Sequence, residues 1–114
     1  MKDERVYLEH IRDALTRIAV YTSEGEARFF VETIIQDAVL RNLQTLAEAT
    51  QRLSEDRKAR FPLIDWRAMA GFRNVIVHNY LGINVARIWQ IVAADLPPLR
   101  QAIDAMLAEL DAQE

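Results

Sequence analysis

Residues 26–53 read "EARFFVETIIQDAVLRNLQTLAEATQRL". Ala27, Phe30, Val31, Ile34, Ile35, Ala38, Val39, Leu43, Leu46 and Ala47 recur at the three- and four-residue spacing that gathers side chains on one side of an α-helix. No strand-like alternation competes with that period. One long helix through about residue 53 is expected, and its wide apolar stripe calls for helices packed around it.

Upstream, Val6 or Tyr7, Ile11, Leu15, Ile18 and Tyr21 carry the same period, so residues 3–21 are expected to form a first helix. The link "TSEGE" (22–26) is short, with Gly25 to loosen the chain and Ser23 and Glu26 at capping-box spacing. Two long helices joined this way are expected to form an antiparallel hairpin.

Downstream, "SEDRKARFPLI" (54–64) reads as a polar break in which Pro62 biases Phe61 away from helical geometry. Asp65 is placed to cap a third helix, with Trp66, Met69, Phe72 and Val75 or Ile76 on its core side, ending near Tyr80 and Gly82. Asn84 is placed to cap a short fourth helix containing Val85, Ile88, Trp89 and Val92. "DLPPL" (95–99) should break it and start the last helix, with Leu99, Ile103, Met106 or Leu107 and Leu110 inward. The expectation is an all-α bundle of about five helices in one domain over residues 1–114.

A chain of 114 residues can bury a core without disulfides or a structural metal, and it has no cysteine, which excludes thiol chemistry and cysteine-based metal sites. Its 51% apolar and 27% charged residues are those of an ordinary globular protein. "MKDERVYLEH" (1–10) shows no leader pattern, and the apolar runs are too short to span a bilayer. A soluble, cytoplasmic protein is expected. The net charge of −3 argues against a broad surface that coats nucleic acid. Arg57, Lys58, Arg60, Arg67 and Arg73 nevertheless cluster against Asp65 alone, as either a local cationic cleft or a solvated face.

The chemistry-bearing residues lie in "GFRNVIVHNYLG" (71–82). Arg73 and Tyr80 are seven apart and nearly aligned on a helix, and Asn74 and His78 are four apart and adjacent. Arg73 and His78 are five apart, roughly 140° around the axis. Arginine's reach with a loosened turn would bring these two together, as would two copies meeting across a symmetric dimer. Either supplies a cationic fork for phosphate and an imidazole that exchanges protons near neutral pH, the requirements of phosphodiester cleavage. The bland readings are a carboxylate partner for Arg73, a capping His78, packing for the Tyr80 ring and turn hydrogen bonds for Asn74 and Asn79. His10 reads as surface and Asp95 as a turn or cap. Glu48 reads as a structural or partner-contacting residue, and Trp66 and Trp89 as packing before base stacking.

"FRNVIVHNY" (72–80) carries the Arg-x4-His-x-Tyr motif of the HEPN superfamily and resembles the HepT-like ribonuclease toxins of toxin–antitoxin systems partnered by a minimal nucleotidyltransferase. The likeness extends to "IDWRAMAGFRNVIVHNYLGINVARIWQIVAADLPPL" (64–99) and "IIQDAVLRNLQTLAEAT" (34–50). It implies a HEPN-type helical bundle and a homodimer with the motif near a cleft between subunits. Arg73 would hold phosphate and His78 would serve RNA cleavage, with Asn74 and Asn79 in support. Tyr80 would receive AMP from ATP through the cognate nucleotidyltransferase antitoxin, which neutralises the toxin. RNA is the implied substrate, and neither a metal nor a cofactor is implied. Two other readings use the same residues: a non-catalytic nucleotide-binding or scaffold subunit regulating a nucleotidyltransferase, and a helical interaction module whose polar motif builds its interface.

Overall fold

The first apolar period becomes helix α1 (Arg5–Tyr21) in the computed structural model, which describes residues 3–78 and 84–113, with backbone alone over 73–78. Leu8, Ile11, Ala14, Leu15 and Ile18 are buried, whereas Val6 is half exposed, so the inward register begins at Leu8. Among the described residues every regular element is helical. The capping box at Ser23 and Glu26 does not form. Gly25 is the N-cap of the next helix, at φ 96°, a region that disfavours residues with a Cβ, and no side chain caps it.

The expected long second helix is two helices, α2 (Glu26–Val31) and α3 (Thr33–Thr50), broken at Glu32, whose φ −105° and ψ 104° are extended. A buried glutamine accompanies the break. Gln36 Nε2 donates to the carbonyls of Phe29 at 2.9 Å and Phe30 at 3.3 Å, two acceptors that an unbroken helix would have paired with N–H groups of the next turn. The break divides the apolar stripe. Phe29, Val39, Leu43, Leu46 and Ala47 are buried, while Val31 and Ile34 are 73% and 78% exposed. Gln36→Leu should remove the side-chain donor to both carbonyls and destabilise the fold by about 1–3 kcal/mol. A lower urea midpoint at unchanged m-value would show it.

Residues 54–64 are not wholly a break. They include α4 (Glu55–Ala59), capped where the Arg57 N–H donates to Ser54 Oγ at 3.1 Å. Glu4 Oε1 accepts from the Ser54 N–H at 2.7 Å, bringing the start of α1 to the end of α3. The next two caps form as the sequence requires. The Ala68 N–H donates to Asp65 Oδ1 ahead of α5 (Trp66–His78), and the Arg87 N–H donates to Asn84 Oδ1 ahead of α6 (Val85–Gln90), both at 3.0 Å.

"DLPPL" does not interrupt the chain with a loop. A π-helical turn, Ile91–Asp95, joins α6 directly to α7 (Leu96–Ala112), and the Leu96 N–H reaches the Ile91 carbonyl five residues back. Pro97 and Pro98 have no N–H to give, and their rings would crowd carbonyls four residues earlier. The wider turn makes room for them. Leu99, Ile103, Met106 and Leu107 are buried from α7. The core lies where α1 meets α3 and α7 and where α3 meets α5, with α2 against α6. Among the described residues seven α-helical segments stand where five were expected, because of the break at Glu32 and the short α4.

Candidate active site

Helix α5 carries Arg73, Asn74 and His78 of the motif, and its first turn is well anchored. Asp65 caps it, and the Trp66 indole N–H lies 3.1 Å from the Lys58 carbonyl and 3.2 Å from that of Phe61. Met69 and Phe72 are buried, and α5 packs along α3. Trp66 is thus a packing and anchoring residue. Trp89 is another, tilted against Phe29 with ring centroids 5.2 Å apart.

Arg73, Asn74 and His78 all fall on α5, whose backbone is α-helical without interruption from Trp66 to His78. Arg73 and His78 are therefore five positions apart on one regular helix, and their separation of roughly 140° stands at the level of the backbone. No loosened turn intervenes between them. Asn79 and Tyr80 lie outside the described residues.

The cationic stretch leading into α5 is largely matched by carboxylates. Arg57 Nε lies 3.4 Å from Glu4 Oε1, Lys58 Nζ 3.1 Å from Glu55 Oε1, and an Arg60 guanidinium nitrogen 2.9 Å from Glu109 Oε2. Arg57 and Glu4 are both mostly buried, whereas Glu55 is open to water. These residues form a paired surface in place of a free cationic cleft. Arg67 and Arg87 are exposed, and each lacks an ion pair among the described residues.

A groove of about 310 Å3 borders the first half of α5, with Asp65, Ala68, Met69, Arg87 and Asp95 among its lining residues. One arginine faces two carboxylates there, so this groove alone is no phosphate cradle. Among the described residues no cluster of three or more His, Cys, Asp or Glu side chains is arranged to hold a metal ion. His10 and Glu48 are exposed, and Asp95 precedes α7 without a side-chain capping bond.

The motif-bearing helix and the bundle around it agree with a family comparison that covers most of the chain. Residues 11–106 match the model described as "Ribonuclease HepT-like". The chain belongs to the HepT-like ribonuclease family. That membership classes it as a ribonuclease. It is 34% identical over 100 residues to "Probable ribonuclease HepT" of Thermococcus cleftensis, across 87% of this chain and 91% of that one. It is also 32% identical over 111 residues to "Gamma-glutamylcyclotransferase and putative RNase" of Methanocaldococcus jannaschii. That match takes in 96% of this chain and 50% of the relative, so the chain spans half the length of that protein. No solved structure matches. For a HepT-like chain, the candidate site is "FRNVIVHNY" (72–80), of which residues 72–78 lie on α5.

Among the described residues no helix is long and apolar enough to cross a membrane. Sequence reasoning missed Gln36, whose role depends on a helix break that apolar periodicity does not reveal.

Proposed function

We propose that this chain is the toxin of a toxin–antitoxin pair, a metal-independent endoribonuclease neutralised when a nucleotidyltransferase antitoxin transfers AMP from ATP to Tyr80. The observation that carries the reading is the Arg73-to-Tyr80 motif, with its arginine and histidine on α5 in a chain of HepT-like descent. The protein works as a single HEPN-like domain over residues 1–114, in the cytoplasm and as a homodimer. In that reading α1 and the α2–α3 segment form a long antiparallel hairpin, supported by the contact that returns Ser54 to Glu4.

RNA carries its own nucleophile. The ribose 2′-oxygen attacks the adjacent phosphorus, the bond to the 5′-oxygen breaks, and the products are a 2′,3′-cyclic phosphate and a 5′-hydroxyl. One proton leaves the 2′-hydroxyl and one reaches the departing oxygen. Arg73 binds the phosphate and offsets the charge that grows on it, while His78 exchanges a proton near neutral pH. Asn74 and Asn79 support the site. Two motif helices meeting in a dimer supply two imidazoles, whose protonations then belong to the pair.

In the modification, the Tyr80 oxygen forms a bond to the α-phosphorus of ATP and pyrophosphate leaves. The AMP group adds phosphate and bulk seven residues along the sequence from Arg73, where it competes with RNA.

The test is RNA cleavage by unmodified protein, purified apart from any partner, with a chelator present. Products ending in 2′,3′-cyclic phosphate are expected. Folded protein that leaves varied RNAs intact would replace this reading with that of a regulatory scaffold.

A further inference from the structure

Helix α5 has two unlike sides. Met69 and Phe72 are buried where it packs along α3. Arg67, Gly71, Asn74 and His78 follow one another at spacings of four, three and four, so their backbone positions form one row along the helix, roughly 140–200° around the axis from Met69. Arg67, and not Arg73, is the arginine that shares this row with His78.

The row suits a polyanion in three respects. Arg67 is exposed and has no ion pair among the described residues. At Gly71 a Cβ would meet nothing within 4 Å among the described residues, so the middle of the row is open. Residues 66–94 contain no aspartate or glutamate although the chain has 17, so no carboxylate of α5 or α6 opposes an anion there. The nearby cations are otherwise engaged: Arg57, Lys58 and Arg60 have carboxylate partners, and Arg87 shares its groove with Asp65 and Asp95.

We infer that an RNA strand runs along this row, with Arg67 holding a backbone phosphate other than the one being cleaved. Eleven residues of helix separate Arg67 from His78, about 16 Å along the axis, too far for both to serve one phosphate. A strand laid along the helix presents further phosphates, and a guanidinium grips one through two of its oxygens. Arg67 is then a positioning residue, which fixes the register of the strand against His78 and takes no part in the proton transfers. This inference rests on the ribonuclease reading proposed above and gives its substrate a direction across the surface.

Fluorescence anisotropy with a 2′-fluoro oligoribonucleotide, which lacks the attacking 2′-oxygen, reads binding apart from chemistry. Arg67→Ala should raise the dissociation constant about fivefold and lower the slope of log affinity against log salt by about 0.7, the share of one phosphate contact on a single strand. Arg67→Lys should restore the slope, and Arg87→Ala should bind as wild type does. Gly71→Glu and Gly71→Gln both replace glycine with a better helix former, so both should keep the fold by circular dichroism. Only the glutamate sets a like charge in the path of the strand, and it should bind RNA more weakly than the glutamine. Wild-type affinity and salt slope in Arg67→Ala, or equal binding by the two Gly71 variants, overturns the inference, as does a wild type that binds no RNA. Wild type that binds in this Arg67-dependent way but leaves cleavable RNA intact refutes the ribonuclease proposal and supports the row as an RNA-binding surface.

Discussion

His78→Ala is expected to lower RNA cleavage by about 100- to 10,000-fold, the range set by removing a positioned proton-transfer group. Arg73→Ala should fall as far, because the phosphate would lose its cationic fork, and Arg73→Lys should recover only part of the rate since an ammonium cannot hold two oxygens in one plane. Single-turnover cleavage of one RNA, with circular dichroism and sedimentation on each variant, makes the measurement. The control matters because Arg73 and His78 lie on α5, which packs along α3, so a purely structural role is a real competitor. If the motif only builds an interface, both substitutions should weaken dimerisation and stability together. Loss of cleavage in a folded variant of unchanged oligomeric state excludes that. Equal cleavage by wild type and His78→Ala would mean that the activity belongs to a contaminant or to other residues.

How far the sequence foretold the structure depended on whether the information was local. The Asp65 and Asn84 caps were legible because a capping side chain bonds an N–H three residues on. The inward residues of α7 were legible because they follow one period without interruption. The break at Glu32 was not legible. Glutamate is an ordinary helix former, and the cause of the break is distributed: Gln36 pairs the freed carbonyls, and Phe29 sits against Trp89 sixty residues later. The proline pair illustrates the opposite error. "PP" announces a chain break, yet a π-helical turn absorbs the missing donors without a loop. At the site, spacing placed Arg73, Asn74 and His78 on one helix, as found. Spacing alone left their chemistry open, since a residue 140° around the axis meets its neighbour only through a long side chain or a second helix. The family match then supplied the class of reaction.

Tyr80→Phe is expected to separate activity from restraint. The substitution removes one oxygen and keeps the ring, so a Tyr80 that serves only as modification acceptor leaves RNA cleavage within about twofold of wild type. The value of twofold corresponds to less than half a kcal/mol in transition-state stabilisation. Incubation with a cognate nucleotidyltransferase antitoxin of the proposed kind and ATP should add AMP to wild type and stop cleavage, while Tyr80→Phe takes up none and continues to cut. Intact mass reads the first effect and RNA cleavage the second. Full modification of Tyr80→Phe would move the acceptor to another hydroxyl. A variant that is unmodified but also inactive would place the Tyr80 oxygen in the cleavage chemistry itself. The two functions are separable in principle because they make opposite demands on the same few residues: Arg73 must be open to bind an RNA phosphate, and the added AMP phosphate must lie close enough to occupy it. In the proposed reading Tyr80, seven positions after Arg73 in the sequence, would meet both demands by carrying the blocking group on an oxygen that cleavage does not need.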